Sequence, residues 1–434
     1  MVVSRDKAPT AQETFVQMVQ SPALRERLLL TIGLLVLLRL GIFIPVPGID
    51  RVAFAQSLSS NAALSFLDLF AGGGLKALGV FALGIIPYIN ASIILQLLTA
   101  AIPQLEDLQK NEGEAGRRKI SQLTRYIAGG WAIIQSTLLT VGLLRPFATN
   151  YDAYFVVQTV LTLAAGSMFV MWVGELITER GIGNGASLLI FLNIVSTLPK
   201  NLGKTFELAQ SGSQERLGGV VIMLLVFLAM VFGIVFVQEA TRRIPILIAR
   251  RQIGRQQSLE RSSYLPLRLN QGGVMPIIFA SSVLSLPVFL GSALNNAAYS
   301  NFIGQYLRPA TFFYDMVYLV MILFFSYFYA SLVVQPEEMA KNLKKMGASI
   351  PGVRPGKATT EFIGGVINRL TLLGAVFLGA VAIVPQVIEG IADVRTFQGF
   401  GATSLLILVS VAIDTAKQVQ TYVISQRYEG MVKQ

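Results

Sequence analysis

The chain of 434 residues contains no cysteine and no histidine. The first absence excludes disulfides and thiolate chemistry; the second excludes imidazole metal ligands, histidine-activated nucleophiles and histidine proton relays. No cofactor or metal is expected. Charge is scarce as well, with 14% charged residues against 53% hydrophobic ones and a mean hydropathy of +0.61. That balance belongs to a polytopic membrane protein, whose solvent is mostly lipid. The N-terminal tail is polar and mixed in sign (Arg5, Asp6, Lys7, Glu13). It lacks a short apolar core followed by a small-residue cleavage site, so no signal peptide is expected and the first span directs insertion.

A spanning helix needs about 20 mostly apolar residues. Ten stretches qualify, near 26–46, 76–101, 121–143, 154–177, 184–200, 217–239, 271–291, 312–334, 369–388 and 403–422. An even number puts both termini on one side. With the edge residues Arg27, Lys76, Lys200 and Arg369 counted in the adjoining tail or loops, the tails and even-numbered loops carry 24 Lys and Arg, the odd-numbered loops 8, and Arg39, Arg125 and Lys417 fall inside spans. By the positive-inside rule both termini are cytoplasmic.

A transporter or pump would place carboxylates near the bilayer midplane, where this sequence has almost none. Asp414 and Lys417, near the cytoplasmic end of the last span, read as a local ion pair. Glu175 lies near the end of the fourth span and Arg39 near the outer end of the first, where snorkelling is easy. Contact of Arg39 with a partner or a neighbouring helix stays open. Between the first two spans, NAALSFLDLFAGGGLKALGV begins with ten or so apolar residues that end at Gly72, Gly73 and Gly74. At about 1.5 Å per residue this piece reaches halfway across a bilayer. It is an interfacial helix or a re-entrant half-helix in a protein-lined cavity, and the triple glycine favours the second by supplying a hinge.

What the spans do hold is isoleucine beside small polar groups. Ile85, Ile89, Ile93 and Gln96 form one stripe, with Asn90 and Ser92 close by, and Ile278 is followed by Ser281 and Ser282. Each stripe alone reads as helix packing with polar interhelical glue. Arranged around one axis, the isoleucines would form a narrow ring that blocks water and ions by dewetting.

Two cytoplasmic loops are long and basic. One, about 240–270, carries Arg242, Arg243, Arg250, Arg251, Arg255, Arg261 and Arg268 against Glu260; the other, about 335–368, carries Lys341, Lys344, Lys345, Arg354 and Lys357. Topology and anionic lipid account for short basic loops. These are long enough, with β-type patches IPILIA and YLPLRL, to project as docking surfaces for an RNA-rich or acidic partner. GIGNG at 181–185 lacks the Lys-Ser/Thr and the preceding strand of a phosphate loop.

Six blocks in order now carry a resemblance: RLGIFIPVPGID (39–50), FALGIIPYINASIILQLLT (81–99), EGEAGRRKISQLTRY (112–126), GELITERGIGNG (174–185), NLKKMGASIPGVRPG (342–356) and GATSLLILV (401–409). Over essentially its whole length the chain resembles the SecY family, the central subunits of bacterial and plastid protein-conducting channels. The resemblance implies an all-α polytopic membrane protein: ten transmembrane helices in two pseudo-symmetric five-helix halves, with a short re-entrant plug helix. It implies a channel that translocates unfolded secretory polypeptides and releases signal sequences and transmembrane segments laterally into lipid, and that is not itself an enzyme. By position, the pore ring would be Ile85, Ile89, Ala186, Ile190, Ile278 and Ile407, with Ala186 smaller than the bulky residue usual there. The plug would span Asn61 to Gly74, with Phe66, Leu67 and Phe70 as its packing face. Asn90, Gln96, Ser281 and Ser282 would face the lateral gate between the second and seventh spans. Arg242, Arg243, Arg255 and Arg354 would dock the SecA motor ATPase and the ribosome, including its rRNA. SecE-like and SecG-like small subunits, secretory and membrane-protein precursors and anionic lipids complete the implied partners, in the bacterial plasma membrane or a thylakoid.

The expected organisation is a cytoplasmic tail (1–25), a first half (26–200, plug 61–74), an external connection (201–216), a second half (217–422) and a cytoplasmic tail (423–434). A secondary transporter would explain ten spans and a broken helix, but not an apolar constriction. An intramembrane protease needs a Ser/His, metal or paired Asp site, against which the missing histidines and facing carboxylates count.

Overall fold

The structure, a computed structural model, describes residues 21–60, 72–110, 113–211, 214–248, 263–294, 297–307, 311–392 and 402–432. In lipid every backbone N–H and C=O must be satisfied within the protein, which the helix does inside a single segment. The first half of the chain gives α1 (Pro22–Gly41), α2 (Arg51–Ser60), α3 (Ile86–Ala101), α4 (Pro103–Lys110), α5 (Gly113–Leu138), α6 (Ala153–Arg180) and α7 (Gly185–Ser211). The second gives α8 (Gln214–Glu239), strands β1 (Thr241–Ile248) and β2 (Ser263–Arg268), α9 (Met275–Leu294), α10 (Ala297–Tyr306), α11 (Phe312–Val333), α12 (Pro336–Lys345), strand β3 (Ala348–Ser349), α13 (Lys357–Ala392) and α14 (Ala402–Val432). A helix therefore lies at each of the ten stretches read from the sequence. Among the described residues, Gly113–Phe147, Ala153–Arg180, Phe312–Lys345 and Lys357–Val384 are each long and apolar enough to cross a membrane. Taken as one span, the bent pair α3 and α4 makes a fifth, across a 107° break.

The second stretch departs from the expected helix over 76–101. Helix α3 begins only at Ile86, with Pro87 in its first turn, where a missing N–H costs nothing. Residues 72–85 instead form turns and one helical turn at Gly74–Ala77, with positive φ at Gly72, Gly73, Leu78 and Gly84. Tertiary contact explains the break. The Val46 N–H donates to Leu78 O at 3.0 Å and the Val80 N–H to Ile44 O at 2.9 Å, tying the segment to the chain leaving α1. Gly166 of α6 comes so close that a Cβ there would collide with the carbonyl oxygen of Val80. Two turns away from helix geometry, the backbone still bonds to its neighbours, as burial demands.

One large apolar cluster runs through the molecule, joining Ile85, Ile89 and Ile93 with Ile190, Ile194, Ile277, Ile278, Ile407 and their neighbours. A separate cluster, containing Ile244, Ile246, Leu267, Leu343, Ile350 and Ile363, seats the two basic loops on the N-terminal part of α13. The strands lie in the order β2-β1-β3, all antiparallel. Thr241 pairs with Arg268 through to Ile246 with Ser263, and Leu247 and Ile248 pair with Ser349 and Ala348. Ile244 and Ile246 point inward while Arg243, Pro245 and Leu247 are exposed, the period of two that a half-buried strand requires. Pro245 is tolerated because β3 reaches only residues 247 and 248, leaving that part of β1 an edge on one side.

Placing a branched side chain at Gly166 should push α6 off the 72–85 segment. Gly166→Val is expected to destabilise the protein by about 1–3 kcal/mol. Thermal unfolding of the detergent-solubilised protein checks this, and an unchanged midpoint would refute the close approach.

Candidate pore and docking surface

The six residues expected to form the ring come from four places in the chain and meet in one apolar cluster. Ile85, Ile89, Ile190, Ile278 and Ile407 are buried, with exposures from 0 to 7%, and Ala186 is half-buried against them. Ile85 sits just before α3 rather than in it, yet the Ile89 N–H donates to Ile85 O at 3.1 Å, which preserves the four-residue spacing on one face. A cavity of about 380 Å³ abuts this cluster, lined by Ile85, Ile89, Ala186, Ile190 and Ile278. Ile407 belongs to the cluster but not to the cavity wall.

Glycines let the helices close around it. A Cβ on Gly185 would collide with the carbonyl oxygen of Gly174, so α7 starts against the backbone of α6. A Cβ on Gly174 would lie 3.3 Å from Leu189 Cδ1 and 3.4 Å from Ile85 Cδ1. Gly183, at φ +91°, and Gly181, packed on Thr31 Oγ1, complete a tight corner. GIGNG is thus a helix-to-helix corner. It also gives Ala186 its context, since the residue follows the closest approach of α7 to α6.

The far wall of the cavity is polar. Arg125 Nε donates to Glu175 Oε1 at 3.0 Å and lies 2.9 Å from Oε2, an ion pair that joins α5 to α6. Glu175, with its side chain 14% exposed, is therefore partnered within the protein rather than snorkelling to the interface. No sequence spacing signals this pair, because the residues are 50 apart. Arg39 is likewise fixed by a neighbour: its Nη1 donates to Gly72 O at 2.6 Å. The expected Asp414–Lys417 pair is replaced by two others, Lys417 Nζ with Glu239 Oε1 at 2.8 Å and Arg268 Nη1 with Asp414 Oδ1 at 3.9 Å. Facing elements outcompete a neighbour on the same helix.

Helices α3 and α9 are in contact, as a gate between them requires, and α9 also packs on the π-helical turn Leu139–Leu144 that ends α5. The polar residues expected at this seam do not act as cross-seam glue in two cases. Gln96 Nε2 donates to Ser92 Oγ at 3.1 Å and Ser281 Oγ to Ile277 O at 2.6 Å, each within its own helix. Asn90 is buried with its Nδ2 unpaired, and Ser282 is half-buried. The sequence reading missed Gln135 of α5, buried at 3% exposure with both amide atoms unpaired. A polar residue inside an apolar stretch was its one visible signal.

Of the plug residues, Gly72, Gly73 and Gly74 are described; Asn61, Phe66, Leu67 and Phe70 lie outside the described residues, as does Arg255. Arg242 and Arg243 are exposed on β1, with the Arg243 guanidinium 4.9 Å from the Tyr264 ring centre. Arg354 is exposed between Gly352 (φ +78°) and Gly356 (φ +111°), and its carbonyl accepts from Thr359 Oγ1 at 2.9 Å. Because β3 adds to β1, both basic loops belong to one platform.

The SecY family model matches residues 79–416. The chain belongs to the SecY family. The protein translocase subunit SecY of Synechocystis sp. is 68% identical over 441 residues, covering 100% of both chains. Two solved structures share the fold. One, described as showing that the plug domain of SecY stabilises the closed state of the translocation channel, matches at TM-score 0.66, 18% identity and 91% coverage of each chain. The other is the channel of the canine ribosome-channel complex from the endoplasmic reticulum, at TM-score 0.62, 17% identity and 91% coverage of each chain.

The packing of Ala186 and Ile190 in this cluster depends on the α6–α7 approach. Gly185→Val is expected to push Ala186 and Ile190 outward and raise the ion conductance of the idle channel in planar bilayers. Gly203→Val, also on α7 but with open space around it, should leave conductance unchanged.

Proposed function

We propose that this chain is the channel-forming subunit of a protein translocase, passing unfolded secretory polypeptides across the membrane and releasing apolar segments sideways into lipid. The observation that carries the reading is the convergence of Ile85, Ile89, Ile190, Ile278 and Ile407 on one buried cluster beside a cavity. Aliphatic side chains hold water and ions back by dewetting, yet make no directional bond to a passing chain, so the seal tolerates any sequence.

Lateral release fits the chemistry of the α3–α9 contact. With Gln96 and Ser281 bonded inside their own helices, the seam is held chiefly by packing. Interhelical hydrogen bonds in membranes are worth only about 0.6–2 kcal/mol each, so the residual polar groups, Asn90 and Ser282, add little to the cost of parting. Residues 61–74 carry the plug assignment by sequence position.

The platform bearing Arg242, Arg243 and Arg354 suits a ribosome, whose RNA is the anionic partner such a surface attracts, and Arg255 belongs with them by sequence. Energy for translocation then comes from that partner or from a SecA-type motor, not from this chain. SecE-like and SecG-like subunits would cover exposed apolar helix faces. Both termini are cytoplasmic in this reading, which the positive-inside balance supports, and the membrane is a plasma membrane or a thylakoid.

The test uses the missing cysteines. A single cysteine replaces Ile278, a second is placed in a secretory precursor stalled part-way by a folded domain, and mild oxidation follows. A disulfide that depends on the precursor's signal sequence is the expected outcome. If none forms while a cysteine at Arg354 does react, the precursor docks but passes elsewhere, and the ring assignment fails.

A further inference from the structure

The docking platform is tied to the pore ring through α14. Ile407, Ser410, Asp414 and Lys417 lie on one face of that helix, spaced for a single stripe. The cytoplasmic end of α8 grips this stripe twice: Gln238 Nε2 donates to Ser410 Oγ at 2.9 Å, and Glu239 Oε1 receives Lys417 Nζ at 2.8 Å. Ser410 is 1% exposed, so the first bond is shielded from water. A third tie, longer at 3.9 Å, joins Arg268 of β2 to Asp414.

Only Ala240 separates Glu239 from β1, and the Leu269 N–H closes the base of the hairpin on Ala240 O at 2.9 Å. A displacement of the hairpin thus cannot pass into α8 without acting on α14. Ten residues of helix, about 15 Å, carry it from Lys417 to Ile407 as a rigid element. The other end of the hairpin runs within a few residues into α9, whose second turn begins at Ile278. Two ring residues from different helices are therefore connected to one docking element.

We propose that Gln238 and Glu239 are positioning residues, whose bonds to Ser410 and Lys417 transmit partner docking at the β1–β2 hairpin to Ile407 in the ring. The inference rests on the docking and ring assignments made above. It differs from a purely structural role in predicting that coupling can be lost while docking is kept.

The full chain, in the membrane complex with which it is isolated, is reconstituted into planar bilayers. Conductance is recorded before and after adding purified ribosomes, and affinity is measured separately by co-sedimentation. Glu239→Lys is expected to hold affinity within about twofold and cut the ribosome-induced conductance gain at least about fivefold. Adding Lys417→Glu should restore the gain. Gln238→Leu, which removes the shielded bond without changing charge, should lower the gain in the same direction. A full gain in both single variants, or a gain lost only in proportion to affinity, overturns the coupling and leaves the docking assignment standing. If ribosomes co-sediment with the wild-type complex but leave its conductance unchanged, the coupling falls and docking stands; if they do not co-sediment, docking and coupling fall together.

Discussion

The structure depends on apolar contact among isoleucines brought together from distant parts of the chain. Dispersion and burial hold this cluster, and neither has a direction. A seal made of hydrogen bonds would need each donor and acceptor re-paired whenever it opened, in a medium where an unpaired group costs several kcal/mol. Aliphatic side chains can separate, coat a passing segment and close again. The isolation of polar groups follows from this: Gln96 and Ser281 bond within their own helices, and Arg125 with Glu175 across one helix pair. What has to come apart carries few obligations.

Close backbone approach is the second requirement, and glycine supplies it. The corner at 181–185 brings α7 against α6, and Gly166 brings α6 against the irregular 72–85 segment. These contacts sit beside the isoleucine cluster. They fix how closely the helices that carry the isoleucines approach one another, through residues with no side chain at all.

Two basic loops, remote in sequence, form one body because β3 adds to β1 and both rest on α13. A partner contacting Arg242 and Arg354 therefore grips a single surface. That surface continues directly into α8 and, within a few residues, into α9, and the end of α8 bonds to the polar stripe on α14.

The sequence by itself determined the class, the positions of ten helices and the basic character of the two long loops. Absence of cysteine and histidine, apolar runs of spanning length and charge asymmetry are properties of composition and local order, and they need no tertiary information. The β-type patches IPILIA and YLPLRL were legible for the same reason, as alternation marks a half-buried strand. Only the tertiary structure decided where α3 begins, because the break at 72–85 is enforced by backbone contacts from α1 and α6. It also decided which charges pair. Asp414 and Lys417 find Arg268 and Glu239, and Glu175 finds Arg125, since electrostatic partners are chosen by distance in space and the nearest opposite charge lies on another element.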